Sequence, residues 1–196
     1  MDVARFHQHL ALQMPGLSAN ELTELTAAFT LRHVPKRALV VQPGEVAHHR
    51  FYVLQGAFRS YVVDPAGVEH TLHFAIDDWW ITDLTSYHAQ LPATVYVVAL
   101  EDSTVLQLDY AMEQHLMHIS QRYETLFRLQ AERAAAYYQR RLTSAVTRTA
   151  EERYEDFRTT YPAVVQRLPQ YVIASYLGMS KEFLSRIRRR TGARKG

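Results

Sequence analysis

The stretch QYVIASYLGMSKEFLSRIRR, residues 170–189, decides how the C-terminal part of the chain folds. A helix-turn-helix needs a glycine in a tight turn between two short helices. Gly178 sits at that place. Ala174 supplies the small residue where the helices approach, and Ile173, Leu177, Met179, Leu184 and Ile187 supply the apolar faces of the junction. Ser180 can cap the second helix through its hydroxyl. The second helix, expected over 181–190, presents Lys181, Glu182, Ser185 and Arg186 on its first turns. An arginine can donate two bonds to O6 and N7 of guanine, and a glutamate can accept from N4 of cytosine. These four are the expected base contacts. Ser180, Arg188, Arg189 and Arg190 are the expected phosphate contacts. The alternative to the motif is an ordinary pair of core helices. For the arginine run it is a solvated face or a return onto the domain.

Charge supports the first reading. The 196 residues carry a net charge of +2. Residues 181–196 hold seven basic residues against one acid, Glu182, and so carry +6, which leaves −4 on the rest. A basic tip on an acidic body suits a surface that meets nucleic acid. There are no cysteines. Their absence removes disulfides, cysteine-ligated zinc, iron–sulfur clusters and cysteine nucleophiles. No run approaches the roughly 18 apolar residues of a membrane helix, and the N-terminal residues lack the apolar core of a signal peptide. A cytoplasmic protein is expected.

Upstream of the motif, Thr149 precedes Ala150-Glu151-Glu152, a helix start with acids in its first turn, and that helix is expected to end before Tyr161-Pro162. Residues 110–148 contain no glycine or proline. Ile119, Tyr123, Leu126, Gln130, Arg133 and Tyr137 recur at alternating four and three, and Phe127, Ala134, Tyr138 and Leu142 widen the stripe. The spacing predicts one long helix with a coiled-coil-like seam. Pairing with a second copy is the favoured use of that seam, and folding back onto the chain's own barrel is the alternative. From residue 31 to about 108, short apolar runs (38–41, 51–54, 58–63, 70–75, 95–100 and 104–108) alternate with turn signals. Strands this short predict an antiparallel sandwich or jelly-roll barrel. Residues 2–14 and 18–29 read as short helices, with a capping box from Ser18 to Glu21.

A barrel, a long helix and a terminal helix-turn-helix in this order resemble the Crp/Fnr family of bacterial transcription regulators. Gly44-Glu45, then Phe51-Tyr52-Val53, then Gly56 is similar to the glycine-glutamate, strand, glycine pattern of that family's cyclic-nucleotide-binding-type barrel. The segments 78–84 (DWWITDL) and 99–102 (ALED) are similar to a catabolite-regulator-like branch, and residues 173–187 resemble the family's recognition motif. The resemblance implies that Lys181, Glu182 and Arg186 read bases. It also implies a homodimer on a pseudo-palindromic site, with RNA polymerase as a further partner.

The chain departs from the family in its phosphate cassette. Relatives that bind cyclic AMP use a Gly-Glu pair at a short helix and then an arginine followed by Ser or Thr. Here the helix region reads Trp80-Ile81-Thr82-Asp83-Leu84, and Ala93 precedes Thr94 at the arginine position. No lysine or arginine lies between Arg59 and Arg122, so a phosphate would meet Asp77, Asp78 and Asp83. No tight cyclic AMP binding is expected. If a small-molecule effector exists, the family's ligand position maps onto Trp80, Thr82, Asp83 and Thr94. Trp79 and Trp80 are first read as core. His48-His49, His70 with His73, and His115 with His118 are read as surface histidines rather than metal ligands. Adjacent strand residues face opposite ways, so His48 and His49 do not form a cupin-like pair.

The chain is therefore expected to be an α+β protein. A cyclic-nucleotide-binding-like jelly-roll barrel with N-terminal helices occupies 1–109, a long dimerisation helix 110–148, and a helix-turn-helix domain 149–196. It is expected to bind double-stranded DNA, and not to be an enzyme or need a cofactor or metal. The competing readings are a cupin-like barrel enzyme and an adaptor that has lost DNA function. Only about six residues follow the expected recognition helix, so wing elements must precede Gln170 or be reduced.

Overall fold

The computed structural model describes residues 3–193. The helices are α1 (Val3–Gln13), α2 (Ala19–Ala27), α3 (Leu84–Ala89), α4 (Tyr110–Ile119), α5 (Gln121–Thr147), α6 (Ala150–Thr160), α7 (Pro162–Arg167), α8 (Gln170–Tyr176) and α9 (Lys181–Ala193). The strands are β1 (Thr30–Val34), β2 (Leu39–Val41), β3 (His49–Gln55), β4 (Phe58–Val63), β5 (Glu69–Ala75), β6 (Trp80–Ile81), β7 (Tyr96–Ala99) and β8 (Ser103–Asp109). They form two four-stranded sheets, ordered β1-β8-β3-β6 and β2-β7-β4-β5. β8 runs antiparallel to β1 and β3, and β2 antiparallel to β7. All six predicted runs are strands, with ends moved by a residue or two. β1 and β6 were not anticipated. Four of the five residues of β1 are exposed, so it carries no apolar alternation, and β6 has only two residues.

The chain divides into two compact units, Met1–Ser60 with Phe74–Ala134, and Tyr61–His73 with Ala135–Gly196. In the first, Phe6 and Leu10 of α1 and Leu25 of α2 pack with Tyr52 of β3, Leu106 and Leu108 of β8, and Leu116 of α4. Full burial of such side chains is worth about 1.5–3 kcal/mol each. The Ser18–Glu21 capping box is formed, with the Glu21 amide donating to Ser18 Oγ at 3.2 Å and the Ser18 amide donating to the Glu21 carboxylate at 2.7 Å. At the β3–β4 turn Gly56 has φ +131, and an added Cβ would lie 2.9 Å from Ser103 Cα. That close approach is why a glycine stands there.

The predicted single helix over 110–148 is instead two helices. Ser120 has φ −148 and ψ 121, outside the helical region. Its hydroxyl accepts from the Arg122 amide at 3.3 Å and its carbonyl from the Tyr123 amide at 3.0 Å. Serine favours such local bonds over the helical ladder, so it ends α4 and starts α5. The predicted seam also changes face. Tyr123, Leu126 and Gln130 are buried within the first unit together with Phe127. The first half of the stripe is thus spent on the chain's own barrel. What α5 leaves exposed is the row Ala131, Ala135, Tyr138, Leu142 and Val146, with Ala145 beside it. Leu142 is 67% exposed and Val146 77%.

In the second unit the β4–β5 loop is closed by Asp64, whose carboxylate accepts from the amides of Ala66 and Val68, both at 2.9 Å. α6 opens on a capping box between Thr149 and Glu152. It ends before Tyr161-Pro162, as the sequence predicts. α7 has Pro162 in its first turn, where a missing N–H costs nothing. The segment before Gln170 is helical, and no strand follows β8 among the described residues.

Candidate nucleic-acid interface

α8 and α9 are joined by a turn of four residues, 177–180. Gly178 has φ +67. The Met179 amide donates to the Ala174 carbonyl at 3.0 Å and the Gly178 amide to the Ser175 carbonyl at 3.1 Å. This is a Schellman closure, which needs a left-handed residue and so selects glycine. Val172, Ile173, Ala174 and Leu177 are buried with Leu184 and Ile187 of α9. Two arginines take the remaining carbonyls at the end of α8. Arg153 of α6 donates to Leu177 O through Nε at 3.2 Å and Nη2 at 3.1 Å, and Arg141 of α5 donates to Tyr176 O at 2.9 Å. Cations belong at this negative end of a helix.

α9 runs from Lys181 to Ala193, three residues beyond its predicted end. Arg194 and Lys195 of the basic tip lie outside the described residues. The Ser180 hydroxyl accepts from the Phe183 amide at 3.1 Å and caps the helix. At about 100° per residue, Lys181, Glu182, Ser185 and Arg186 share about 140° of the helix surface, opposite Leu184 and Ile187. Lys181, Glu182 and Arg186 are exposed and Ser185 is half-buried. The Arg186 guanidinium lies 5.3 Å from the ring centroid of Phe183. Arg188, Arg189 and Arg190 are exposed, and Arg190 reaches back to Glu151 at 3.2 Å.

The four candidate effector residues engage neighbours within the first unit. Thr82 is buried and donates to His49 O at 2.8 Å. Asp83 is buried and caps α3, accepting from the Ser86 amide at 3.1 Å and from the Thr94 amide at 3.1 Å. Trp80 instead belongs to an aromatic cluster with Phe6, Phe29 and Tyr52 at centroid distances of 5.3–6.3 Å. Trp79 stacks on Phe74 at 5.6 Å.

The sequence reading missed a buried polar network. Arg50 of β3 donates to Glu113 of α4 at 3.0 Å and to Gln130 of α5 at 2.7 Å. Tyr87 of α3 donates to the same Glu113 oxygen at 3.1 Å. Arg50 stands 4.5 Å over the Trp80 ring. Burial, then the Glu113 charge, pushes the Tyr87 phenol far above its ordinary value. An arginine next to the apolar run FYVL was the available signal.

The histidines go to separate partners. His48 lies 3.3 Å from Gln90, His49 3.9 Å from Asp109, and His70 2.8 Å from Asp64. Among the described residues no group of three or more His, Asp or Glu is placed to hold a metal ion. No described helix is long and apolar enough to cross a membrane.

Residues 31–119 match the family model of the cyclic nucleotide-binding domain. No curated protein sequence matches the chain. Among solved structures, FixK2 from Bradyrhizobium japonicum is similar over 85% of this chain and 86% of its own, at 18% identity and a TM-score of 0.71. CLP, a c-di-GMP-responsive global regulator of Xanthomonas campestris, is similar over 91% and 93%, at 15% identity and a TM-score of 0.68. The catabolite activator protein of Thermus thermophilus is similar over 93% and 87%, at 20% identity and a TM-score of 0.56. The barrel is thus of the cyclic-nucleotide-binding type. Over most of its length the chain shares the fold of these three regulators, the fold that the sequence resemblance implied.

Proposed function

We propose that the chain is a sequence-specific DNA-binding transcription regulator that works as a homodimer. The carrying observation is α9, with a capped N-terminus, a buried apolar face, and Lys181, Glu182 and Arg186 exposed together on its first turns. In this reading α8 and α9 form the helix-turn-helix. Lys181, Glu182, Ser185 and Arg186 contact bases, and Ser180, Arg188, Arg189 and Arg190 address phosphates. Ser180 keeps its hydroxyl proton for that contact while its oxygen caps α9. The division into a sensor-type barrel over 1–109, a dimerisation segment over 110–148 and a DNA-binding domain over 149–196 belongs to the same proposal.

The exposed apolar row on the second half of α5 supports a paired helix. Two copies would place their α9 helices in successive major grooves, about 34 Å apart. The barrel's ligand position speaks against cyclic AMP. Asp83 fills the N-terminus of α3 with the protein's own carboxylate, and Ala93 is buried where relatives carry arginine. An effector, if one acts, must prefer one of two states of the protein. The transcription-regulator fold and the diverging histidines favour this reading over a cupin-like enzyme. Genomic capture of bound DNA followed by sequencing tests the proposal. A shared two-fold-symmetric motif is the expected result, and recovery without any sequence preference overturns it.

A further inference from the structure

The outer part of the β4–β5 hairpin is one compact unit with the helices that carry the proposed reading surface. Ser175 and Arg141 contribute hydrogen bonds to the join. β5 is the edge of its sheet, and an edge strand presents unpaired N–H and C=O groups. Ser175 of α8 occupies that edge with both capacities of its hydroxyl. The oxygen accepts from the Thr71 amide at 2.8 Å, and the hydroxyl donates to Glu69 O at 2.8 Å. One side chain thus takes the place of one rung of a neighbouring strand.

Arg141 of α5 makes the second join. Its guanidinium donates to Leu72 O at 2.7 Å and Thr71 O at 2.8 Å on β5, and to Tyr176 O at 2.9 Å on α8. It also lies 4.4 Å from the Tyr176 ring centroid, and the Tyr137 and Tyr176 hydroxyls are 2.8 Å apart. The planar five-donor fork of arginine suits three carbonyls from two segments, where a lysine ammonium would hold them less rigidly. Tyr176 is the last residue of α8, and α9 starts at Lys181. Whatever fixes Tyr176 therefore fixes the start of the turn that aims α9.

We propose that the β4–β5 hairpin is a working part of the DNA-reading unit, with Ser175 and Arg141 as positioning residues that set the aim of α9. The proposal rests on the DNA-binding reading above. Docking of the hairpin pre-organises the helix pair, and pre-organisation raises affinity without adding a contact to the ligand. A shift along β4 and β5 is thereby delivered to the turn around Gly178. Base preference, which belongs to the exposed side chains of α9, is untouched by it.

The test uses the full chain and the variants Ser175→Ala, Ser175→Thr and Arg141→Lys. Amide hydrogen exchange is read at residues 69–73 and 174–180, and DNA affinity and base preference by selection from a random-sequence pool. Ser175→Ala is expected to speed exchange of the Thr71 amide about tenfold, the effect of losing one hydrogen bond. The amides of Gly178 and Met179 speed up with it. DNA affinity falls several-fold while the selected sequence stays the same. Arg141→Lys repeats the pattern, and Ser175→Thr, which keeps the hydroxyl, restores it. Faster exchange at 69–73 with wild-type rates at 174–180 overturns the proposal, and so does Ser175→Ala with full affinity. If the wild-type chain selects no sequence, the DNA reading fails, and the exchange data alone decide whether the hairpin and the turn are coupled.

Discussion

The Thr94 amide donates a 3.1 Å hydrogen bond to the Asp83 carboxylate, 11 residues before it in the chain. The other oxygen of that carboxylate accepts from the Ser86 amide. An anion-seeking helix start and an anion-seeking loop amide are both satisfied from inside. Calorimetric titration with cyclic AMP is expected to show no saturable binding at micromolar concentrations. Asp83→Ala should cost about 1–2 kcal/mol of stability, the worth of a helix cap, as read by denaturant unfolding. Micromolar binding by the wild-type chain would sink the expectation.

Glu113 is 1% exposed and Arg50 6%. Removing one member of a buried pair leaves the other charge unpaired and costs about 3–5 kcal/mol, whereas replacing both by apolar residues is often neutral. Glu113→Ala is therefore expected to be far more destabilising in urea than the double change Arg50→Met with Glu113→Leu. Equal losses in the two proteins would contradict this account of the network.

Stability should fall on mild acidification. Burial holds the imidazoles of His9, His49 and His88 below their ordinary value of 6.5. Between those lowered values and 6.5 the unfolded chain binds more protons than the folded one, so stability rises with pH there. It is complete above 6.5 and is lost as the pH drops through the folded values. The thermal midpoint should decrease between about pH 7.5 and about pH 5.5, and His88→Gln should flatten the slope. A midpoint independent of pH across that window would refute the assignment.

Arg186 and Arg188 are both exposed on α9 but are assigned different work. Arg186→Ala should cost about 1–3 kcal/mol on the preferred site and relax the choice of one base, while Arg188→Ala should weaken all sequences alike and lower the salt slope by about 1. Binding-site selection and salt titration separate the two. Identical profiles for both variants would erase the distinction between reading and positioning contacts.

Leu142 and Val146 are exposed on α5, one turn apart. Burying a charge in an apolar seam is costly. Leu142→Glu and Val146→Glu should each shift sedimentation toward the monomer, with secondary structure unchanged by circular dichroism. Variants that sediment like the wild type would place the pairing surface elsewhere.

Local signals in the sequence were reliable. The Ser18–Glu21 box, the acidic helix start after Thr149, the stop at Tyr161-Pro162 and the Gly178 turn each depend on residues within a few positions of one another. What stayed hidden depends on distant neighbours. Tyr123, Leu126 and Gln130 are as consistent with a partner helix as with a barrel, and only the packing of Phe6, Tyr52 and Leu106 decides. Ser120 breaks a helix that has no glycine or proline to announce the break. Ser175 and Arg141 reveal their roles only when β5 is brought beside α8. The face of α9 was legible because its apolar residues, Leu184 and Ile187, mark the opposite side.

α5 is shared between two packing environments. Its first turns pack in the barrel unit through Tyr123, Leu126 and Phe127, and its residues from Ala135 onward belong to the unit of α8 and α9. One unbroken helix of 27 residues thus takes part in two compact units at once.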